Sequence, residues 1–186
     1  MEKVIISVVG QDRPGLVAAL SNALFDLGCN IENASQTILQ SVFGAILIVA
    51  APEGLTNEAL KASLERAVSH LSLDVAVKRM PPDQTPQTGN PEAGDPFVIT
   101  TMGPDQKGLV AAATRVMSDH GINITNLKAV FKGGDDPFSN MMIYEVTIPL
   151  DVILTDLYHE LKAMASRLGL DINIQHRHIF EAMNRI

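Results

Sequence analysis

Tryptophan is absent from this chain, cysteine occurs once, and aromatic residues make up only 4% of its 186 residues. So few rings exclude a module that reads single strands by stacking bases on aromatic platforms. The single thiol, Cys29, rules out an intramolecular disulfide framework and a multi-cysteine zinc site. Placed between Gly28 and Asn30, it reads as a small buried hydrophobe, with a catalytic thiol as the alternative. Basic charge is also scarce: 14 Lys and Arg stand against 21 Asp and Glu, a formal charge of −7. Residues 1–80 hold 6 basic and 8 acidic side chains, 81–95 hold none and 3, and 96–186 hold 8 and 10. Neither half hides a basic domain, so direct nucleic-acid binding is not expected. Long hydrophobic runs are missing too. The longest, residues 42–51, spans ten residues, about half of what a membrane helix needs. The N-terminal apolar stretch is too short for a signal peptide. A cytoplasmic protein with no membrane contact is the expectation.

What is present is repetition. Aligned at an offset of 93, positions 10–33 and 103–126 share 12 identities in 24 places without a gap. They include Gly10/Gly103, Asp12/Asp105, Gly15/Gly108, Asn30/Asn123 and Asn33/Asn126. The chain is two copies of one unit. Between them, residues 81–95 carry four of the ten prolines and no apolar periodicity, and read as a solvated linker. In a polyproline-like state 15 residues span about 45 Å, which permits side-by-side docking without dictating it. The expected organisation is therefore domain 1 over 1–80, linker over 81–95 and domain 2 over 96–186.

Each copy has the same order of elements. Residues 3–9 are an apolar, β-branched run that reads as a buried strand. Leu16, Val17, Leu20, Leu24 and Leu27 recur at helical spacing before Gly28, a helix stop. Strands are expected over 30–40 and 45–51, joined near 41–44, then a helix over 56–71 and a closing strand over 74–79. The second copy predicts a strand at 97–102, a helix at 107–120, strands at 123–131 and 141–148, a helix at 153–168 and a strand at 171–177. The pattern is βαββαβ twice, an α+β chain of two ferredoxin-like domains whose helices lie on one face of an antiparallel sheet. One sheet face stays uncovered in each unit, so partner burial and a homo-oligomer are expected.

The first strand-to-helix turn holds the most chemistry. Gly10 suits a sharp turn off the strand, Asp12 a helix cap, and Pro14 a helix's first turn. Gly15 permits close approach by another group. These residues serve either to build a tight turn or to bind, because backbone N–H groups at a helix N-terminus receive a carboxylate. In the binding reading a small amino acid docks its carboxylate there, Asp12 meets its ammonium, and Arg13 clamps the carboxylate or forms an interface ion pair. Asn30 and Asn33, with Asn123 and Asn126, offer amides suited to both ends of a zwitterion, or simply tolerate the backbone that follows a glycine.

Gly10-Gln11-Asp12-Arg13-Pro14-Gly15-Leu16-Val17, followed by Gly28-Cys29-Asn30-Ile31, resembles the ACT domain family of small regulatory modules that bind amino acids at domain interfaces. The second copy keeps Asp105, Gly108-Leu109-Val110 and Gly121-Ile122-Asn123-Ile124 but has Gln106-Lys107 in place of Arg13-Pro14, which puts equal binding by the two copies in doubt. The tandem layout and the segment from Phe131 to Met141 are similar to the glycine cleavage system transcriptional repressor group. The resemblance implies a non-enzymatic regulator that senses a small amino acid, glycine or serine. Its ligand-binding residues would be Gly10, Asp12, Arg13, Pro14, Gly15, Asn30 and Asn33, with Asp105, Gly108, Asn123 and Asn126 in the second copy. It also implies a protein partner, a transcription factor of the glycine cleavage operon, and no cofactor. The runner-up is a ligandless interaction or dimerisation module.

Acylphosphatases share the topology, and Arg13 with Asn33 would be their anion clamp and water-orienting amide. The acidic Asp12 and the missing second Arg stand against this. His176 and His178 fall on one side of a predicted strand, yet no third ligand completes a metal site. Asp135-Asp136 reads as a polar loop and 181–186 as a short helical tail.

Overall fold

The computed structural model describes residues 2–80, 94–131 and 140–183. They form two compact units that divide within the segment predicted as a linker. Each is taken by itself. The expectations for residues 81–93, for Asp135-Asp136 within 132–139, and for 184–186 lie outside the described residues.

The first unit runs β1 (Glu2–Gln11), α1 (Leu16–Asp26), β2 (Asn30–Leu39), β3 (Val42–Ala51), α2 (Asn57–Ala67), a short 3-10 turn (Ser69–Leu71) and β4 (Leu73–Arg79). Its sheet has the order β2-β3-β1-β4, antiparallel at every junction. Val4, Ile6 and Val8 alternate along β1 and are buried against Leu16, Leu20 and Leu24 of α1 and Leu60 and Leu64 of α2. Both helices therefore lie on one face. β1 is not buried on both sides as its apolar run implied, because Val9 on the opposite face is 50% exposed. The β2–β3 connection is two residues rather than four. Gln40 supplies the left-handed φ of 57°, while Gly44 stays within β3, paired with Val9 and Thr37.

The second unit repeats this with β5 (Gly94–Gly103), α3 (Leu109–Asp119), β6 (Asn123–Phe131), β7 (Asn140–Pro149), α4 (Leu154–Arg167) and β8 (Asp171–His176), in the sheet order β6-β7-β5-β8. Ile99, Met117, Tyr144, Leu161 and Met164 form its core. β5 starts at Gly94, inside the segment read as linker. Pro96 is accommodated because β8 pairs only from Phe97 onward, leaving that flank of the strand free.

A further helix, α5 (Arg177–Met183), begins directly after β8, four residues earlier than the expected tail. It corrects the expectation of a bare sheet face in this unit. Arg177 pairs with Glu145 of β7, and Val98, on the side away from α3 and α4, is only 3% exposed. α5 thus covers part of that face. No helix among the described residues is long and apolar enough to cross a membrane.

Candidate functional site

The β1–α1 turn sits at the end of the sheet where β2 and β3 join. The Asp12 N–H donates to the Ser41 carbonyl at 2.9 Å. Three roles expected in this turn are corrected. Gly10 does not turn the chain: it lies within β1, and a Cβ there would stand 2.5 Å from Leu73 Cδ2 and 2.8 Å from the Ser72 carbonyl oxygen. Asp12 does not cap α1, because the N-cap is Gly15, held left-handed at φ 92° with no side-chain cap. Pro14 therefore precedes the cap instead of occupying the first turn.

Gly108 takes the same place before α3, at φ 90° and again with no side-chain cap. Neither helix has an acidic residue in its first turn. The first helical bonds are Ala19 N–H to Gly15 and Ala112 N–H to Gly108, both 2.9 Å. The N–H groups of 16–18 and 109–111 precede them and carry the positive end of the helix dipole. α2 shows the contrast: Thr56 Oγ1 accepts from Ala59 N–H at 3.1 Å, and Glu58 sits in its first turn. A Cβ on Gly15 or Gly108 would meet nothing within 4 Å among the described residues, which leave the approach to both N-termini open.

Around this end the two units differ. Arg13 folds back to donate to Gln11 Oε1 at 2.9 Å. Its counterpart Gln106 donates to the Leu168 carbonyl at 2.5 Å, tying the turn to the α4–β8 connection. In the first unit a groove of about 240 Å³ runs between α1 and β2–β3, lined by Val17, Ser21, Ala34, Gln36 and Phe43 among others. In the second, a groove of about 340 Å³ includes Asp105, Gly108, Val110, Asn140 and Met142. It brings the predicted Asp105 and Gly108 together with Asn140 and Met142. Those two were not read as site residues, since β7 starts in a stretch whose periodicity says nothing about this turn.

The asparagines do not join the turn. Asn30 pairs with Ala50 and thereby with Lys3, nine residues before Asp12 along β1. At about 3.3 Å per residue that is roughly 30 Å away. Asn123, level with Thr147 and Pro96, lies as far from Asp105. Asn33 follows a β-bulge and faces Ile48, seven residues short of Asp12, so it does not meet Arg13 as the acylphosphatase reading requires. Asn126 is already committed: its Nδ2 donates to Glu145 Oε1 at 2.9 Å.

His176 ends β8 and His178 belongs to α5, so the two are not strand neighbours, although their ring centroids lie 5.1 Å apart. Among the described residues no three His, Cys, Asp or Glu side chains could hold a metal. Cys29 packs partly buried against the first core, and burial pushes its thiol above the usual 9.0, unlike an activated nucleophile. Apolar side chains remain exposed on matching elements, Val17 and Ile38 in the first unit and Val110 and Leu127 in the second.

The family model described as "ACT domain" matches residues 2–78 and again 95–175. A UPF0237 protein of Methanopyrus kandleri is 35% identical over 79 residues, which cover 42% of this chain and 88% of that one. The phosphoserine phosphatase SerB2 of Mycobacterium tuberculosis is 26% identical over 147 residues, 78% of this chain but 34% of the enzyme. The crystal structure of a candidate glycine cleavage system transcriptional repressor superposes with a TM-score of 0.67 at 19% identity, covering 94% of this chain and 96% of that one.

Proposed function

Because this chain belongs to the ACT domain family through both of its repeats, we propose that it is a cytoplasmic, non-enzymatic regulator that senses a small amino acid, glycine or serine. Its two modules, the second beginning at β5 with Gly94, act without a cofactor. The observation that carries this reading is the pair of N-termini without side-chain caps behind left-handed Gly15 and Gly108, left open by the described residues and free of first-turn acids. A carboxylate placed there accepts from the free N–H groups and meets the helix dipole. Asp12, exposed beside it and capping nothing, receives the ammonium; Asp105 occupies the same place in the second unit. Gly10 and Gly103 set the approach of the turn, and Pro14 stiffens the first one.

A zwitterion of this size cannot reach from Asp12 to Asn30 in the same unit. If both touch one ligand, the amide of Asn30 or Asn123 comes from a second copy in a homo-oligomer. Ligand then favours the arrangement that brings modules together, by its higher affinity for that arrangement, and so alters contact with a protein partner. The partner we propose is a transcriptional regulator of glycine cleavage.

Titration calorimetry with glycine and serine tests this reading. Asp12→Ala is expected to weaken binding at least tenfold while the unfolding midpoint moves little, since Asp12 is exposed. Equal loss of binding and stability would make the turn a scaffold only. The exposed Val17, Ile38, Val110 and Leu127 favour, as the second reading, a ligandless interaction module, and absence of any heat would select it.

A further inference from the structure

The second unit carries a cavity that the β5–α3 turn does not touch. It lies on the sheet face away from α3 and α4, beside α5, with a volume of about 470 Å³. That is within the range of small-molecule sites. Met102, Met141 and Ile143 form its floor, Phe180 of α5 one wall, and Asp171 and Asn173 of β8 the rim. The strand pairing explains the grouping: Met102 stands between Met141 and Asp171, and the next pair along brings Ile143 and Asn173 level.

The first unit provides an internal control for what is special here. Its register places Val9 opposite Gly44 and Asp74, with Ala76 and Lys78 further along β4. The second unit thus has Met102 for Val9 and Met141 for Gly44. It also has Asn173 for Ala76 and uncharged Gln175 for Lys78. The two methionines enlarge the apolar floor, Gln175 removes a positive charge, and Asn173 adds a polar amide at the rim. Methionine thioethers adapt to irregular apolar shapes, and Met102 is 42% exposed although nothing in its strand position requires it to be apolar. Asp171 is the single charged residue of the lining among the described residues. Lys128 lies across β7, opposite Ile143, outside the cavity, and Arg177 is turned to Glu145.

We propose that this groove between β5, β7, β8 and α5 binds a small organic cation, an amine with an apolar body. The body lies on Met102, Met141 and Ile143 against Phe180, and the ammonium faces Asp171, with the Asn173 side-chain carbonyl as a further acceptor. This cavity shares Met141 with the groove beside Gly108 but none of its other described lining residues, so Met102 is the signal that reports it alone; its failure would leave the amino-acid reading intact.

The test uses the full chain with methionine methyl groups labelled for NMR, and two probes that share a ring but differ in charge, phenethylamine and 3-phenylpropionate. Phenethylamine is expected to shift the Met102 and Met141 methyl signals saturably, while 3-phenylpropionate does not. Asp171→Asn, at an exposed strand start, should weaken phenethylamine about threefold or more. Met102→Lys, which places a cation on the floor at an exposed position, should abolish binding; Asp12→Ala should leave it unchanged. No saturable shift at Met102 and Met141, equal binding of both probes, or an Asp171→Asn variant that binds as tightly as the parent would each overturn the proposal.

Discussion

Arg177, the first residue of α5, donates to the carboxylate of Glu145 in the middle of β7. The same carboxylate accepts from Asn126 at 2.9 Å, so one acid ties an edge strand, a central strand and the last helix together. The pair is partly exposed, and solvent screening keeps its worth near 1 kcal/mol. Arg177→Ala is expected to lower the stability of the second unit by about that much and to speed amide exchange in α5. The exchange of β5 and β7 should hardly change. Exchange in α5 that matches the parent would show that the helix is held by packing alone.

Gly10 and Gly15 are needed for different reasons, and substitution should separate them. Alanine at Gly10 drives a Cβ into Leu73 and the Ser72 carbonyl, where backbone has to move; a cost of about 2–3 kcal/mol is expected. Alanine at Gly15 meets open space and loses only the left-handed backbone, about 1–2 kcal/mol. Urea unfolding of the two variants should rank them in that order, and the reverse order would contradict the close approach at Gly10.

Thr101 is fully buried, and its hydroxyl has no hydrogen-bond partner among the described residues. The first repeat has Val8 at this place, buried in its own core. An orphan hydroxyl in an apolar core costs on the order of 1 kcal/mol or more, and valine has almost the same shape. Thr101→Val should therefore raise the urea midpoint of the second unit. A lower midpoint would mean that the hydroxyl is satisfied.

Burial holds the Cys29 thiol above its usual 9.0 and the Tyr144 phenol above 10.0. Each loses its proton more readily in the unfolded chain, so through that window the folded state binds more protons. Stability should fall as pH rises past about 9 and be untouched by these groups below about 8. Unfolding midpoints at pH 7 and pH 10 check this, with Cys29→Ala reducing the fall. A midpoint that rises with pH would contradict it.

The repeat, the element order and the pairing of helices with one sheet face were legible because they rest on period and identity. Val4, Ile6 and Val8 and the leucines of α1 carry that signal locally. The turn was legible as a place but not as a mechanism. A glycine in a strand and a glycine at a cap look alike in sequence; only the closeness of Leu73 and the φ of Gly15 tell them apart. The distance between Asp12 and Asn30 was hidden because they are 18 positions apart in sequence yet stand at opposite ends of parallel-running strands. α5 starts at Arg177, whose pairing with Glu145 of β7 is a contact that no local pattern announces.

Thermal unfolding of the purified chain with each of the common amino acids at millimolar concentration tests the central claim most directly. A ligand at 100 times its Kd adds about 2.7 kcal/mol, a midpoint shift of several degrees. The expected result is such a shift with glycine or serine, lost in Asp12→Ala. No shift with any amino acid would contradict a sensor built on the open N-termini of α1 and α3.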